Sequence, residues 1–242
     1  MREYIKTGLT LMLITLIAGL GLSLVYTLVK EPIEKAEISA KIKAIEKVLT
    51  DSNTGELLIE RSAIPETAQE LSKYEWLPSG FTPKEGFLYI SSDGKGKVLA
   101  PAYVFRAKDG SKIYILTGQA VGYGGNVITI AAFVEDTSGI RLNAIKVIEY
   151  SQETPGLGAK IADENIQKRF YPITKEGLEK HLKVDKDSGK GAVNDEMEME
   201  RRRNTEGIIQ TSDVMTGATI TPRAVVTSIN AMYEFLKKAG VN

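Results

Sequence analysis

The residues best suited to chemistry form a hydroxyl-rich turn near the end of the chain, Asp213-Val214-Met215-Thr216-Gly217-Ala218-Thr219-Ile220-Thr221. Gly217 and Ala218 let the backbone approach a ligand closely. A helix is predicted directly after the turn, and the unpaired N–H groups and partial positive charge at a helix N-terminus favour a phosphate there. The pattern therefore favours an anion at Thr219, although an ordinary capped helix start has the same composition.

The helix after this turn is the most clearly defined one in the sequence. Its apolar residues follow a helical period and form one stripe: Val225, Ile229, Met232 and Leu236. Thr221 is the predicted N-cap, and Pro222 suits the first helical position. Thr219 is therefore expected just before the N-terminus of this helix.

Two further segments have the composition of loops that contact ligands. Glu153-Thr154-Pro155-Gly156-Leu157-Gly158 follows a predicted strand and leads into a predicted helix. Gly122-Tyr123-Gly124-Gly125-Asn126-Val127 is rich in glycine, but it lacks the strand-to-helix context of a nucleotide-binding loop. A β-turn with glycines at positive φ, in which Tyr123 packs locally, is the simplest interpretation and is compatible with a ligand beside it.

The composition excludes several other kinds of site. The chain has 242 residues, 43% of them hydrophobic, enough for an anchor and one sizeable domain or for two small domains. It has no cysteine, which excludes disulfides, thiolate metal sites, iron–sulfur ligation and thiol nucleophiles. Its single histidine, His181, excludes sites that need two imidazoles. The 31 basic and 31 acidic residues cancel, which argues against nucleic acid as a partner.

The pattern Asp-x-x-Thr-Gly-Ala-Thr at 213–219 resembles the flavinylation motif of a known family. This is the family of FMN-binding domains found in the G subunit of the Rnf complex and in the C subunit of sodium-pumping NADH:quinone reductase. The resemblance implies that Thr219 accepts covalent FMN through a phosphoester, made by a separate flavin transferase that uses FAD and Mg²⁺. The residues implied to surround the attachment point are Asp213, Thr216, Gly217, Ala218 and Thr221.

The segment at 153–158 resembles the ETPGLG loop that lies against the flavin in this family. The residues implied to bind the cofactor are Glu153, Thr154, Gly156, Leu157 and Gly158. Backbone amides and the Thr154 hydroxyl are expected to hydrogen-bond the edge of the flavin ring while Leu157 packs on its face. Glu153 is expected to position the loop rather than to move protons.

The glycine turn distinguishes the two branches of the family. Residues 122–125 resemble the GYGG turn of Rnf G subunits, whereas the quinone-reductase subunit usually has a Leu-Trp pair there. This favours the Rnf type, with the quinone-reductase C subunit as the alternative. One departure is that Ser151 and Gln152 precede Glu153, where the family often has a histidine nearby.

The resemblance implies an electron-transfer subunit that relays electrons through FMN within a redox-driven, ion-translocating membrane complex. The chain alone is not expected to pump ions. Its implied location is the cytoplasmic (inner) membrane, as a single-pass protein with the flavin domain on the outer or periplasmic face. Its partners would be the other membrane and peripheral subunits and membrane lipid. Two alternatives are a membrane-anchored flavin sensor without ion coupling and a structural tether with an unmodified Thr219.

A membrane anchor is predicted near the start of the sequence. From Thr7 to Val29 no residue is charged, and a helix of this length crosses a hydrocarbon core of ~30 Å. A cleaved secretory signal is the alternative, but a small-x-small cleavage site is missing after Val29. Lysines beyond the apolar stretch argue weakly against export, although that rule applies to short flanking loops.

The rest of the chain predicts an α+β fold. Segments rich in β-branched and aromatic residues at 87–150 predict a mainly antiparallel sheet of four or five strands, flanked by helices. The charge-dense stretch at 185–206 predicts a solvated, mobile loop. The predicted organisation is an N-terminal flank at 1–6, a transmembrane helix at 7–29, a juxtamembrane helix and irregular linker at 30–83, and one FMN-binding domain at 84–242.

Overall fold

The computed structural model describes residues 2–241, which divide into two units, Met1–Lys41 and Ile42–Asn242. The first unit lies within the long helix α1 (Arg2–Val48), whose large apolar side chains between Leu9 and Val29 are exposed. Its length and apolar surface fit a single-pass membrane anchor, because about 20 apolar residues in a helix span the hydrocarbon core. The helix agrees with the transmembrane segment predicted at 7–29.

The second unit contains the strands and the other helices of the described chain. The strands are β1 (Glu75–Trp76), β2 (Phe87–Ile90), β3 (Gly96–Arg106), β4 (Lys112–Val121), β5 (Asn126–Asp136), β6 (Gly139–Glu149), β7 (Lys183–Val184) and β8 (Ile208–Ile209). The helices are α2 (Ala68–Ser72), α3 (Glu164–Gln167), α4 (Lys175–Glu179), α5 (Asp185–Ser188), α6 (Glu196–Glu206) and α7 (Ile220–Lys238). Short 3₁₀ turns lie at Arg61–Ala63, Gly158–Ala162 and Lys168–Phe170.

The main sheet is antiparallel and has six strands. Its order is β1-β3-β4-β5-β6, and β2 also pairs with β3. Apolar residues face each other across β4 and β5, for example Tyr114 opposite Phe133 and Ile115 opposite Ala132. The predicted α+β fold with a mainly antiparallel sheet is confirmed. The stretch at 87–150 supplies β2 to β6, while β1 comes from the predicted linker.

Helix α7 lies close to the sheet because two glycines leave it room. A Cβ at Gly118 would lie 2.9 Å from the Cβ of Ser228, and one at Gly96 would lie 2.7 Å from the Cβ of Ala231. Any side chain at these points would push the helix and the sheet apart. The predicted apolar stripe of α7 is buried: Val225, Ile229, Met232 and Leu236. This packing fixes the start of α7, and with it Thr219, at one end of the sheet.

The compact unit begins at Ile42, well before the boundary predicted at residue 84. The end of α1 and the segment after it contribute fully buried side chains: Ile45, Val48, Leu49 and Ile59. In β1, the ring of Trp76 lies 5.8 Å from that of Phe235 on α7. The segment resembled a linker because its apolar residues follow no regular period, and their partners lie far away in sequence.

The prediction of a mobile loop at 185–206 is wrong, because this stretch contains α5 and α6. The N-cap Asp195 accepts a hydrogen bond from the amide of Met197 at 3.1 Å. Glu198 lies 2.7 Å from Arg201 and 2.9 Å from Arg202, which are the i+3 and i+4 positions of a helix. Gly207 ends α6 with φ of +66°. Capping and ion pairs on one helix therefore order a segment that has little apolar content.

Candidate functional site

Thr219 is the residue immediately before α7. It is half-buried, and its side chain makes no capping hydrogen bond to the helix. Its hydroxyl instead accepts a hydrogen bond from Nζ of Lys186 at 3.2 Å. The prediction that Thr221 is the N-cap is wrong, because Thr221 lies inside the first turn and its buried hydroxyl donates to the carboxylate of Glu153. The hydroxyl oxygen of Thr219 therefore accepts no hydrogen bond from the backbone of the helix.

The turn before Thr219 is held by one buried side chain and by its own backbone. The amide of Met215 donates to the carbonyl of Thr211 at 2.8 Å, and the amide of Ala218 donates to the carbonyl of Met215 at 3.1 Å. The Met215 side chain is buried, whereas Thr216 and Gly217 are exposed. Gly217 has φ of +83°, in the left-handed region that favours glycine. The turn thus presents its last residues at the surface.

Asp213 forms an ion pair with Arg169. The carboxylate lies 3.1 Å from the guanidinium, and both side chains are about three-quarters buried. Arg169 lies in the 3₁₀ turn at Lys168–Phe170, so the pair ties the hydroxyl-rich turn to a distant part of the chain. The motif residue Asp213 consequently fixes the shape of the turn.

Glu153 joins the three segments that the sequence singled out. Its carboxylate is 4% exposed and accepts hydrogen bonds from the amides of Tyr123 at 2.8 Å and Gly124 at 3.2 Å. Its second oxygen accepts the bond from Thr221. A Cβ at Gly122 would lie 2.2 Å from the carboxylate, so no side chain fits there. A buried carboxylate with three donors is fully satisfied, and it holds residues 122–125, 153–158 and 213–221 together.

Each of the three segments has an exposed apolar side chain. Leu157 is 44% exposed, Ile220 is 42% exposed and Tyr123 is 71% exposed. A Cβ at Gly217 would lie 3.9 Å from Cδ2 of Leu157, so these two segments are neighbours. Exposed apolar side chains such as these are typical of a surface that a ligand or partner covers.

The remaining predicted residues of the 153–158 loop lie beside this surface. The carbonyl of Thr154 accepts hydrogen bonds from the amides of Leu157 and Ala159, both at 3.1 Å, so the loop closes on itself. The side chain of Thr154 is exposed, as is Gly156. Gly158 is buried, and a Cβ on it would lie 2.6 Å from the hydroxyl oxygen of Thr221. The structure therefore brings the predicted residues into one neighbourhood.

A cavity of about 620 Å³ opens next to the first turns of α7. Its wall includes Val121, Ile220 and Arg223, and basic side chains of Lys95 and Lys97 also line it. Cavities of this size commonly hold small-molecule ligands in proteins. Thr219 is not among the residues that line this cavity, but the next residue, Ile220, is.

Sequence reasoning missed the short helix α5, which supplies residues to the site. Asp185 is buried and accepts hydrogen bonds from the amide of Thr211 at 3.2 Å and from the hydroxyl of Ser212. Lys186, the next residue, reaches Thr219 across 33 positions of sequence. Local periodicity cannot detect such a contact, and the charge density of the segment predicts solvation instead.

Comparisons with known proteins agree with this geometry. The family described as FMN-binding domain matches residues 122–234, a range that includes all three segments of the site. A crystal structure of a proposed RnfG subunit of an electron transport complex from Thermotoga maritima is 35% identical to this chain, with a TM-score of 0.60. The match covers 83% of this chain and 98% of that one. Curated proteins gave no match.

Proposed function

The chain belongs to the FMN-binding domain family as an RnfG-like electron transport subunit, and we propose that it carries its FMN as a phosphoester on Thr219. In this proposal the bound flavin supplies one- and two-electron chemistry, and the protein holds it in place. A covalent bond suits such a relay, because the cofactor has to stay attached in every redox state.

The observation that carries the proposal is the state of the Thr219 hydroxyl. It precedes a 19-residue helix, makes no bond to that helix and lies 3.2 Å from a lysine ammonium. The helix N-terminus and the ammonium both favour a phosphate at this point. By contrast, the hydroxyl of Thr221 is buried against Glu153, which leaves it no room for a phosphoester.

The surroundings of Thr219 also suit the ring system of FMN. The exposed faces of Leu157, Ile220 and Tyr123 provide apolar surface for a planar aromatic ring. The loop at 153–158 provides polar backbone groups beside them. Glu153 keeps this loop, the glycine turn and the start of α7 in a fixed arrangement. These residues orient the ring, and none of them is assigned a proton transfer.

The wider role follows from the family and from helix α1. In the proposal, α1 crosses the cytoplasmic membrane once and holds the flavin domain at its outer face. The other subunits of an Rnf-type complex deliver and accept the electrons, and the whole complex couples them to ion movement. A separate flavin transferase, with FAD as donor and Mg²⁺, attaches the FMN.

The test is flavinylation of the full chain by a flavin transferase in the host. Intact mass and flavin fluorescence after denaturation would be measured for the wild type, Thr219→Ala, Thr219→Ser and Thr205→Ala. The wild type is expected to gain one FMN, less one water, and to fluoresce. Thr219→Ala should gain none, whereas Thr219→Ser keeps an acceptor oxygen and should be labelled. Thr205→Ala is a matched control, because that hydroxyl bonds only within α6.

Two results would contradict the proposal. One is an unmodified wild type under conditions in which the same transferase labels another acceptor protein. The other is a Thr219→Ala variant that carries covalent FMN as the wild type does.

A further inference from the structure

Lys186 donates a hydrogen bond to the Thr219 hydroxyl. Its Nζ donates to that oxygen at 3.2 Å, and it forms no ion pair with a carboxylate within residues 2–241. The Lys186 ammonium is therefore available to bind an anion at the Thr219 hydroxyl.

The acidic residues around Lys186 are already engaged by other groups. Asp185 accepts hydrogen bonds from the amide of Thr211 and the hydroxyl of Ser212. Asp213 pairs with Arg169. The remaining neighbour, Asp187, pairs with a guanidinium on α7. None of these carboxylates is free to neutralise the lysine.

The position of Lys186 is fixed on both sides. On one side, buried Asp185 attaches α5 to the turn that leads to Thr219. On the other side, Asp187 binds Arg223 of α7, with a distance of 2.7 Å to Nε. The hydrogen bond that Arg223 donates to this carboxylate raises the pKa of Arg223. Only the lysine side chain between these two anchors is left to move.

We propose that Lys186 is the phosphate-binding residue of this site, which holds the phosphoryl group at Thr219 during FMN transfer and afterwards. This inference rests on the proposed function. It assigns a role to a segment that none of the sequence motifs includes. The ligand class is a phosphoryl group that becomes a singly charged phosphodiester.

The transfer step can be written in balance. The Thr219 oxygen attacks the FMN-side phosphorus of FAD, and a new oxygen–phosphorus bond forms. The bond from that phosphorus to the bridging oxygen breaks, and AMP leaves with that oxygen. The hydroxyl proton passes to a base of the transferase or to solvent, and nothing is oxidised or reduced. Lys186 faces the oxygens bound to the FMN-side phosphorus, and these oxygens carry the negative charge.

The experiment is a time course of labelling with purified transferase, FAD and Mg²⁺, followed by intact mass. The acceptors are the full-length wild type, Lys186→Gln, Lys186→Arg and Lys190→Gln, each at several concentrations. Lys190→Gln is the matched control, since this lysine belongs to the same segment but pairs with Glu206. The melting temperature of each variant is recorded in parallel.

We expect Lys186→Gln to be labelled about tenfold more slowly at saturating acceptor concentration, with an unchanged melting temperature. Lys186→Arg should recover most of the rate, and Lys190→Gln should match the wild type. A wild-type rate in Lys186→Gln, a change confined to KM, or a lower melting temperature in that variant would overturn the inference. Failure of the proposed function is distinguishable, because then the wild type itself would gain no FMN.

Discussion

At the scale of single residues, Glu153 is the side chain on which the geometry of the site most depends. It is buried, and its donors come from the glycine turn and from the start of α7. Removing one donor leaves a buried, charged acceptor only partly satisfied, and such a loss is costly. The ETPGLG motif predicted that Glu153 positions a loop, and these contacts are what that role requires.

Substitution of Thr221 by valine tests this arrangement. Thr221→Val keeps the shape of the side chain but removes the hydroxyl that donates to Glu153. We expect a loss of about 1–3 kcal/mol in the free energy of unfolding, measured by denaturant titration of residues 42–242. The control is Thr216→Val, at an exposed position, which should change stability by no more than about 0.5 kcal/mol. Equal effects of the two substitutions would contradict the role of Glu153.

The residue scale also shows where sequence reasoning reached its limit. Thr219 and Glu153 could be predicted from the sequence because their motifs are local and specific. Lys186 could not be predicted, because its contact with Thr219 depends on how two segments 33 positions apart fold together. The predicted capping role of Thr221 failed because α7 begins before Thr221, which therefore lies inside the first turn.

At the scale of elements, α6 carries several ion pairs on its surface. It has no buried residue, and Glu198 lies between Arg201 and Arg202 on its surface. The charge density of this stretch predicted a solvated loop, whereas the structure has a helix with i,i+3 and i,i+4 ion pairs. Helix α7 was easier to predict, because its apolar stripe has the helical period. Its close approach to the sheet depends on Gly96 and Gly118, and nothing in the local pattern indicated it.

Lowering the pH should weaken α6. Hydrogen bonds from Arg201, and then from Arg202, lower the pKa of Glu198 from its usual 4.5 to about 2. A group with a lowered folded-state pKa stabilises the fold above its unfolded value, and this contribution is lost as the pH falls through the folded value. Helical chemical shifts of α6 should therefore decrease between pH 4.5 and about 2.

The matched variant for this titration is Glu198→Gln. It lacks the titrating group, so α6 should show a weaker helix at neutral pH and little further change over that range. An identical pH response in the variant and the wild type would show that another group is responsible.

At the scale of the whole molecule, the chain consists of an apolar N-terminal unit and a compact unit that starts at Ile42. The sequence predicted the fold class correctly, and the apolar N-terminal helix fits the membrane anchor that its apolar length predicted. The compact unit starts before residue 84, the predicted start of the FMN-binding domain, because buried residues between 42 and 76 belong to the same core. Ile45, Val48 and Leu49 are buried as completely as residues in the central strands.

Truncation distinguishes a domain that starts at Ile42 from one that starts at residue 84. A fragment of residues 42–242 should be soluble and should unfold cooperatively, because it retains every buried side chain of the compact unit. A fragment of residues 84–242 loses several fully buried apolar side chains, each worth about 1.5–3 kcal/mol, and should not fold. Circular dichroism and size-exclusion chromatography provide the comparison. A stable, monomeric 84–242 fragment would show that residues 42–83 are dispensable.

The most direct measurement of the central claim is the position of the FMN on the chain. Trypsin releases the peptide Asn204–Arg223 from the flavinylated protein. It contains these hydroxyl side chains: Thr205, Thr211, Ser212, Thr216, Thr219 and Thr221. Electron-transfer fragmentation, which preserves phosphoesters, should assign the added FMN to Thr219 alone. Assignment to any other hydroxyl, or a peptide without FMN from a protein that carries covalent flavin, would contradict the account.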